Sequence, residues 1–375
     1  MAATRLPTNA DELTLQQLNA VLAQQSPAVA LTDYTVTEMN LWGEGQASSA
    51  GRLTIEPTYA DPPRPDLPRH MVVKVARTDP QSDDPTIVRG SGALYRNEVD
   101  VYRKLRPQAL VEAPAVFGAV FDPETSTFLL LMEDLRDRDA QFGSVTVPLS
   151  QAILRSILDQ LAMVHARYWS SDELASELSW METHTRGDLH FLFSTPQIAP
   201  AFIAEQVQTV QFKREIVQHL GTTLDELYDG FQSVQRHQAR LPQTVCHGDT
   251  HIGNTYVLPD GRAGLLDWQL CSQGYALHDV SYLIATALSV ADRRAHEREL
   301  IAYYREKLLE HGVTEPPSAE EMWLEYRRAM VWGLYIGWLI TPVVNYGWEI
   351  NVMNHIRLAS AFEDLETGTL LRQMR

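Results

Sequence analysis

The sequence lacks the features that would tie it to an oxidising compartment or to nucleic acid. Its 375 residues include only two cysteines, Cys246 and Cys271, which indicates reduced thiols in a cytoplasmic protein, with a disulfide between them as the less favoured alternative. Lys and Arg number 31 against 48 Asp and Glu, so the net charge is −17. Because a phosphate backbone demands basic patches, we predict no nucleic-acid partner.

Long apolar runs are also missing. The longest uncharged stretch, residues 329–348, contains a proline, an asparagine and three glycines, and is interpreted as a buried helix and substrate wall, with no membrane span. Residues 1–10 have no apolar core of a signal peptide, and no internal repeat is evident. A length of 375 residues is enough for two domains, and the hydrophobic content of 45% is normal for a globular protein. The oligomeric state stays open.

The most informative segment is residues 247–254, His-Gly-Asp-Thr-His-Ile-Gly-Asn, followed by Leu-Leu-Asp-Trp at residues 265–268. Carboxylates at Asp249 and Asp267 with an amide at Asn254 have a spacing typical of phosphoryl-transfer sites. Such a site needs one carboxylate to orient the attacking hydroxyl and oxygen ligands for Mg²⁺. The pattern predicts Asp249 as the catalytic base and Asn254 and Asp267 as magnesium ligands.

The residues between them predict a hairpin. Two short strands, at residues 255–258 and 262–266, flank a Pro-Asp-Gly turn, and such a hairpin returns Asn254 and Asp267 to the same end. The alternative is a chance turn followed by a carboxylate that only caps a strand. Support for the functional interpretation must therefore come from elsewhere in the chain.

A second group of residues fits the nucleotide side of such a site. Residues 71–76 form an apolar, β-type run interrupted by Lys74, and a charge there is costly unless it meets a phosphate or carboxylate. Glu98 lies on a predicted helix at residues 95–105. In kinases such a glutamate fixes the lysine against the nucleotide phosphates. The alternative is an edge-strand lysine that points to solvent.

Two further segments complete the nucleotide side. Gly43 and Gly45 stand between predicted strands, where their backbone N–H groups could approach phosphates, although a simple hairpin turn explains them equally well. The strand at residues 127–132 ends abruptly in a polar segment. We interpret Glu133 to Leu135 as a hinge whose backbone groups pair with the nucleobase.

From residue 150 onward the pattern becomes helical. Ile153, Ile157, Leu161 and Val164 recur at spacings of three or four, and further helical blocks cover residues 200–240, 291–311, 323–344 and 352–362. A short amphipathic helix is predicted at residues 14–22, and surface loops at residues 58–69 and 78–87.

Together with Glu133-Asp134-Leu135 and His165-Ala166-Arg167-Tyr168-Trp169, these motifs resemble the aminoglycoside phosphotransferase and choline kinase-like superfamily, nearest to the branch with ecdysteroid kinase-like and uncharacterised bacterial phosphotransferases. The resemblance covers about residues 34–287. It implies an α+β, two-lobed protein-kinase-like fold, with an antiparallel sheet plus helix in the small lobe and a mainly α-helical large lobe. The implied boundaries are residues 1–132 for the nucleotide-binding lobe, 133–136 for the hinge and 137–375 for the catalytic lobe.

The resemblance also assigns roles. It implies ATP or GTP and Mg²⁺ as cofactors, with Asp249 as base, Asn254 and Asp267 on the metal, Lys74 on the phosphates and Glu98 as its partner. Asp279 should support the catalytic loop, or at least cap the helix after it. His247 should be a core histidine that shapes the loop.

Two departures separate the chain from protein kinases. Trp268-Gln269 stands where they have Phe-Gly, and no Ala-Pro-Glu signature follows. We therefore predict a kinase that transfers the γ-phosphate to a hydroxyl of a small organic molecule. A nucleotide-binding pseudokinase or regulatory protein is the alternative, and a protein kinase is a weaker one.

The acceptor is not identified by the sequence. We expect its pocket at residues 180–202 and around five aromatic residues, Trp332, Tyr335, Trp338, Tyr346 and Trp348. These aromatic residues fit core packing best, and an aromatic box for a quaternary ammonium is the alternative. The acidic charge favours a cationic or neutral acceptor.

Overall fold

The computed structural model describes residues 5–7, 10–40, 50–60, 67–77, 84–108 and 111–374. The chain divides into two compact units, one made of Met1–Gln108 with Ala113–Gln141 and the other of Ala109–Glu112 with Phe142–Arg375. Gly43 and Gly45, the predicted phosphate-loop glycines, lie outside the described residues. The assignment of residues 133–136 as a hinge between two functional lobes stays a prediction.

The first unit is built on a five-stranded sheet. Its elements in chain order are α1 (Leu15–Gln25), β1 (Leu31–Asn40), β2 (Gly51–Tyr59), β3 (Met71–Val75), α2 (Pro85–Asp100), β4 (Val116–Asp122) and β5 (Thr127–Glu133), with short 3₁₀ helices at Ala10–Glu12 and Leu135–Arg138 and a π-helical turn at Val101–Leu105. The strand order is β1-β2-β3-β5-β4, and every neighbouring pair is antiparallel.

The two α-helices of this unit, α1 and α2, pack on the sheet through different contacts. Helix α1 begins with a capping box between Thr14 and Gln17, which satisfies two backbone donors at its start, and its apolar side joins the core formed with β2, β3 and β5. On helix α2, the Tyr95 ring stacks on Phe128 of β5, with the ring centroids 4.4 Å apart. Helix α1 therefore packs on β2, β3 and β5, and helix α2 packs on β5 through the Tyr95 ring.

Helix α2 starts earlier than the sequence predicts. It begins at Pro85, capped by the Asp84 side chain, where the sequence suggested a loop as far as residue 87 and a helix only from residue 95. Gly92 explains part of the difference, because a Cβ there would lie 2.9 Å from the Ser126 side chain. Close packing against that turn requires glycine, which interrupts the apolar periodicity. Strand β2 likewise extends to Tyr59, inside the predicted loop at residues 58–69.

The second unit is mainly helical. Its helices are α3 (Gln151–Arg167), α4 (Gly187–Ser194), α5 (Ala199–Thr209), α6 (Gln211–His219), α7 (Leu224–Gln238), α8 (Leu277–Ala287), α9 (Val290–Glu310), α10 (Ala319–Val331), α11 (Val343–Asp364) and α12 (Thr367–Gln373), with 3₁₀ helices at Asp172–Ala175, Ile252–Asn254 and Trp268–Leu270. Helix α10 continues into a π-helix, Trp332–Leu339. Helix α3 has Ser150 as its N-cap, so the helix begins where the sequence predicted the helical pattern to start.

Short strands flank the loops of the second unit. They are β6 (Gln141–Phe142), β7 (Thr244–Cys246), β8 (Thr255–Val257), β9 (Ala263–Leu265) and β10 (Ser272–Gly274). Phe142 of β6 belongs to this unit, in a three-stranded sheet of order β6-β8-β9, and β7 pairs with β10. Within the described ranges, no helix is both long enough and apolar enough to cross a membrane. Cys246 and Cys271 are free and buried.

The fold confirms the α+β class. The first unit combines an antiparallel sheet with helices, the second is mostly helix, and the predicted hairpin at residues 255–266 is present as β8 and β9.

Candidate active site

The β8–β9 hairpin places two of the predicted residues together. Thr255 pairs with Leu265 at the open end of the hairpin, and the Leu266 N–H donates to the Asn254 carbonyl at 3.0 Å. Asn254 directly precedes β8 and Asp267 follows β9 by two residues. Both side chains therefore start from the same end of the hairpin, as the sequence predicted.

Asp279 holds the loop that carries Asp249. It is fully buried, and its carboxylate accepts hydrogen bonds from the backbone N–H groups of His247 (2.6 Å) and Gly248 (2.9 Å). The Thr250 hydroxyl donates to the Asp279 carbonyl at 2.7 Å. The supporting role predicted for Asp279 is confirmed. The expected N-cap role is wrong, because Ala276 is the N-cap of α8 and Asp279 lies inside that helix.

Two residues set the shape of this loop. Gly248 has φ +87°, and a Cβ there would lie 2.0 Å from the Leu270 carbonyl oxygen, so only glycine fits. The His247 ring is buried, with Nε2 3.0 Å from the Leu266 carbonyl oxygen and Nδ1 accepting from the Asp249 N–H at 3.3 Å. His247 thus links the loop to the hairpin, which confirms its predicted structural role.

Asp249 lies in an environment that disfavours its charge. Its side chain is 17% exposed, and the Asn254 amide donates to Oδ2 at 3.1 Å and to the backbone carbonyl at 2.9 Å. Burial raises the pKa of Asp249 to about 8, the charge of Asp267 adds to this, and the Asn254 hydrogen bond opposes it. The two carboxylates are therefore close enough to repel each other.

This arrangement fits a divalent cation. Two repelling carboxylates and an amide oxygen are hard ligands of the kind that Mg²⁺ prefers. Because the Asn254 amide nitrogen is held by Asp249, its oxygen is the atom left for a metal. Asp267 adopts the left-handed conformation (φ 65°, ψ 67°), which costs energy in a residue other than glycine and is common at functional sites.

A second cluster of potential metal-ligand side chains does not fit a metal. Ligand atoms of His165, Cys246 and Asp279 lie within 4.8 Å of one another, all buried. Both His165 ring nitrogens are engaged, one with the Tyr304 hydroxyl at 2.6 Å and the other with Asp279 at 3.1 Å. With the Asp279 oxygens also bound to backbone N–H groups, this cluster anchors the loop.

His251 was missed by the sequence analysis. Its Nδ1 accepts from the Gly253 N–H at 3.1 Å, so the proton of the neutral ring sits on Nε2, which lies 3.9 Å from Asp249 Oδ2. Burial lowers the pKa of His251 to about 4, which keeps the ring neutral. The ring also lies 6.0 Å from those of Trp338 and Tyr346. Its position two residues after Asp249 was the available signal.

Lys74 and Glu98 meet within the first unit. The Lys74 ammonium, on β3, donates to both oxygens of Glu98, on α2, at 2.6 and 2.8 Å. The two side chains are only 4% and 3% exposed. The predicted pairing is confirmed, and the alternative of a solvent-facing lysine is wrong.

The predicted hinge residues have neighbours of their own. Glu133 ends β5, and its N–H donates to the Ala115 carbonyl at 2.9 Å, while its carboxylate accepts from the Ala115 N–H and from Arg138. Leu135 is buried and begins a 3₁₀ helix. The Glu133 N–H is therefore engaged in the sheet, and the Asp134 and Leu135 carbonyls accept from the N–H groups of Asp137 and Ala140. A nucleobase contact of this segment stays a prediction.

The five predicted aromatic residues separate into two groups. Trp332, Tyr335 and Trp338 of the π-helix are buried, whereas Trp348 is 63% exposed. Tyr346 lies 5.3 Å from Trp338, measured between ring centroids. Core packing therefore accounts for Trp332, Tyr335 and Trp338, and the partly exposed Tyr346 packs beside Trp338 and His251.

The described residues include a buried lysine–glutamate pair on an antiparallel sheet. In the mainly helical unit they also include the two carboxylates and the amide that the sequence singled out, Asp249, Asp267 and Asn254. The model of the phosphotransferase enzyme family matches residues 69–318, more than half of the chain. The protein belongs to this family and is a phosphotransferase enzyme, which confirms the family and the enzyme class predicted from the sequence.

Similarity to one solved structure supports the fold. The choline kinase from Cryptosporidium parvum aligns with a TM-score of 0.55 at 12% identity, covering 91% of both chains. A choline kinase from Streptococcus pneumoniae aligns at 0.46 and 15% identity, covering 88% of this chain and 94% of that one. An aminoglycoside phosphotransferase from Streptomyces rimosus aligns at 0.40 and 16% identity, covering 77% and 92%. No curated protein sequence matches this chain.

Proposed function

We propose that this phosphotransferase transfers the γ-phosphate of ATP, or of GTP, to a hydroxyl group of a small organic molecule. The observation that carries the proposal is the Asp249, Asn254 and Asp267 arrangement. A partly buried carboxylate hydrogen-bonded to Asn254 lies close to the charge of a second carboxylate. This combination suits a base beside a magnesium site.

Asp249 is the proposed base. The acceptor hydroxyl donates a hydrogen bond to its carboxylate and attacks the γ-phosphorus. The new P–O bond forms as the bond to the β-phosphate oxygen breaks, the nucleoside diphosphate leaves, and the hydroxyl proton passes to Asp249. The Nε2–H of His251 faces the same carboxylate and helps to orient it.

Asn254 and Asp267 are the proposed magnesium ligands, through the amide oxygen of the first and the carboxylate of the second. A bound Mg²⁺ would neutralise charge on the transferring phosphates. It would also offset the repulsion between Asp249 and Asp267. The left-handed backbone of Asp267 and the hairpin bond at Asn254 fix both ligands before metal binds.

Lys74 is the proposed contact to the nucleotide phosphates. Its bidentate pair with Glu98 holds the ammonium in one place, and a fixed cation loses little entropy when a phosphate binds. Backbone groups near Glu133 and Leu135 are proposed for the nucleobase, and Gly43 and Gly45 for the phosphates.

The acceptor is proposed to be small. The partly exposed Tyr346 ring beside His251 suits an alcohol with an apolar or cationic part, because phenol faces attract both. An ATP-consumption screen against hydroxyl compounds, with hits checked by mass, would identify it.

Asp249→Asn tests the proposed base. We expect nucleotide affinity to stay nearly unchanged, while turnover falls by about 10²–10⁴-fold, because the amide cannot accept the hydroxyl proton. Slow ATP hydrolysis without acceptor gives a readout before the acceptor is known, and titration calorimetry gives the affinity.

Asp260→Asn is the matched control. Asp260 lies in the turn of the same hairpin and pairs with Arg262 at the surface, so this variant should keep wild-type turnover. Equal ATP hydrolysis by wild type and Asp249→Asn would contradict the assignment. Nucleotide binding without any turnover in the wild type would instead favour the regulatory alternative.

A further inference from the structure

The second unit contains a cavity that the proposed base and metal ligands do not line. Residues 183–186 in its wall fall within the range 180–202 that the sequence predicted for the acceptor pocket. The cavity has a volume of about 320 Å³ and lies behind the loop that carries Asp249. Cys246, one residue before that loop, lines it, and so does His278, whose Nε2 is 3.3 Å from the Gly248 carbonyl oxygen. None of the three residues proposed for base and metal lines the cavity. Its size falls within the range of small-molecule sites.

Two buried glutamines in the wall carry unused polar groups. Gln235 and Gln238 lie on the same side of α7 and are 6% and 3% exposed. Their amide nitrogens have no hydrogen-bond partner among the described residues. The Nδ1 atom of His184, which also lines the cavity and is 6% exposed, is likewise without a partner in the described part of the chain.

Such groups are costly in a folded protein. Nearly all buried polar groups form hydrogen bonds, and each that does not loses free energy relative to water. A leucine is close to glutamine in size and would avoid this loss. Three unpartnered groups around one cavity therefore indicate hydrogen bonds to a ligand.

The chemistry of the wall defines the class of ligand. Among the described residues that line the cavity there is no Asp, Glu or Lys, and Arg186 is the one residue with a permanent charge. Arg186 is exposed. Burial lowers the pKa of His184 well below its ordinary range, so this ring is neutral.

An ion would find little compensation inside this cavity. His184 and His278 stack in the cavity wall with ring centroids 5.1 Å apart. The buried Asp279 carboxylate, next to His278 in sequence, acts on the pKa of both rings, so its charge disfavours an anion beside them. A cation would find no carboxylate in the described wall. Amides and hydroxyls both donate and accept hydrogen bonds, and they match a ligand whose groups do the same.

We propose that this cavity binds a neutral polyol of monosaccharide size, at a site separate from the one where phosphoryl transfer occurs. The hydroxyls of such a molecule would pair with the amides of Gln235 and Gln238 and with the His184 ring. Tyr275 adds a flat aromatic face to the wall. Because Asp249 does not line the cavity, the bound polyol is a ligand and is not phosphorylated.

Saturation-transfer NMR and calorimetry test the proposal with glucose, galactose, ribose and myo-inositol as probes. We expect the wild-type protein to bind at least one of them. The double variant Gln235→Leu, Gln238→Leu should bind it roughly tenfold more weakly or not at all, since it loses hydrogen bonds to the ligand. Gln208→Leu, an exposed glutamine of α5, is the matched control and should bind as the wild type does.

The same double variant also has an outcome for stability. Replacing two unpartnered amides by apolar groups should leave the melting temperature of the free protein unchanged or raise it. A double variant that keeps its stability but no longer binds the probe supports the site. A loss of stability would show that the two amides serve the fold.

Two other results would overturn the proposal. Binding of none of the four probes, or equal binding by the double variant, would show that the cavity is not a polyol site. A bound probe that gains a phosphoryl group in the presence of ATP would show that the cavity belongs to the acceptor site.

Discussion

At the scale of single residues, the electrostatics of Asp249 dominate the candidate site. Burial and the charge of Asp267 raise its pKa to about 8, against the single favourable hydrogen bond from Asn254. The proposed role as base requires an ionised carboxylate, and in the protein without metal this pKa favours the protonated form at neutral pH. A cation at Asp267 would remove one of the two causes.

This shift predicts a pH dependence of stability. The pKa of Asp249 is about 8 in the folded protein and near its ordinary value of 3.8 in the unfolded chain. Between these values the folded state holds a proton that the unfolded chain has released, so the free energy of unfolding falls as pH rises. We expect Asp249→Asn to show a shallower fall, measured by urea unfolding between about pH 5 and pH 8.

Magnesium binding provides the control for the predicted pH dependence of stability. Saturating Mg²⁺ should flatten the pH dependence of the wild-type protein, because metal at Asp267 offsets the repulsion. Asp267→Asn should remove that effect of Mg²⁺. Identical slopes for wild type and Asp249→Asn would show that this carboxyl does not change its pKa on folding.

His251 allows a second test at this scale. Asparagine at this position can keep the Gly253 contact made by Nδ1, whereas glutamine can reach the position of Nε2. We expect His251→Gln to retain turnover better than His251→Asn, by roughly tenfold, because only glutamine keeps a donor facing Asp249. The pH profile of turnover should shift upward for the Asn variant, a change that a purely structural role would not produce. Equal pH profiles of turnover for the two variants would contradict the proposed role of His251 in orienting Asp249.

At the scale of elements, the π-helix Trp332–Leu339 depends on a lysine from another helix. Lys213 of α6 is fully buried and donates to the carbonyls of Leu339 (2.9 Å) and Thr341 (2.6 Å), where the π-helix ends. Helix ends leave carbonyls without partners, and Lys213 satisfies two of them. Burial lowers its pKa to about 7.

Lys213→Met should therefore destabilise the protein by about 2–4 kcal/mol, since two carbonyl groups lose their donor. Denaturant unfolding measures the effect. Lys307→Met is the matched control, because Lys307 pairs with Glu310 at the surface and surface pairs contribute little. A change equal to that of the control would show that Lys213 does not hold this helix end.

The π-helix also shows a limit of prediction from periodicity. The sequence indicated a helical segment at residues 323–344, and α10 with its π-helical continuation occupies most of it. The change from α to π hydrogen bonding was not predicted. Cβ atoms at Gly333 and Gly337 would lie 2.8 Å from Leu358 and 2.4 Å from Tyr282, so this segment packs tightly against α8 and α11, which are distant in sequence.

At the scale of the whole molecule, charge is the property with consequences for substrate choice. The net charge of −17 repels anions and attracts cations over a distance set by the salt concentration. We expect cationic or neutral alcohols to have a higher kcat/KM than anionic alcohols of similar size in an acceptor screen. This preference should weaken as salt is raised from about 0.01 to about 0.5 M.

A matched pair of acceptors makes the screen decisive. An amino alcohol and a hydroxy acid of equal length differ mainly in charge. A preference that does not change with salt would mean that contacts in the pocket set it, and not the charge of the whole protein.

The sequence by itself singled out the residues that we propose to handle the phosphoryl group. Asp249, Asn254 and Asp267 lie within twenty residues, and a short hairpin is specified by local turn chemistry and strand pairing. Lys74 could be assigned because a lysine in an apolar strand needs a partner, and Glu98 is only 24 residues away. Such patterns involve residues that are close in sequence, so they can be recognised from the sequence alone.

Only the tertiary structure decided what depends on distant contacts. The tautomer and neighbours of His251, the lysine that ends the π-helix, and the cavity lined by Gln235 and Gln238 all arise where separate helices and loops pack together. The physical reason is that burial and hydrogen-bond partners are properties of three-dimensional neighbours. Glutamines on a helix look alike in sequence, and their surroundings alone distinguish a solvent-facing amide from one that lines a cavity.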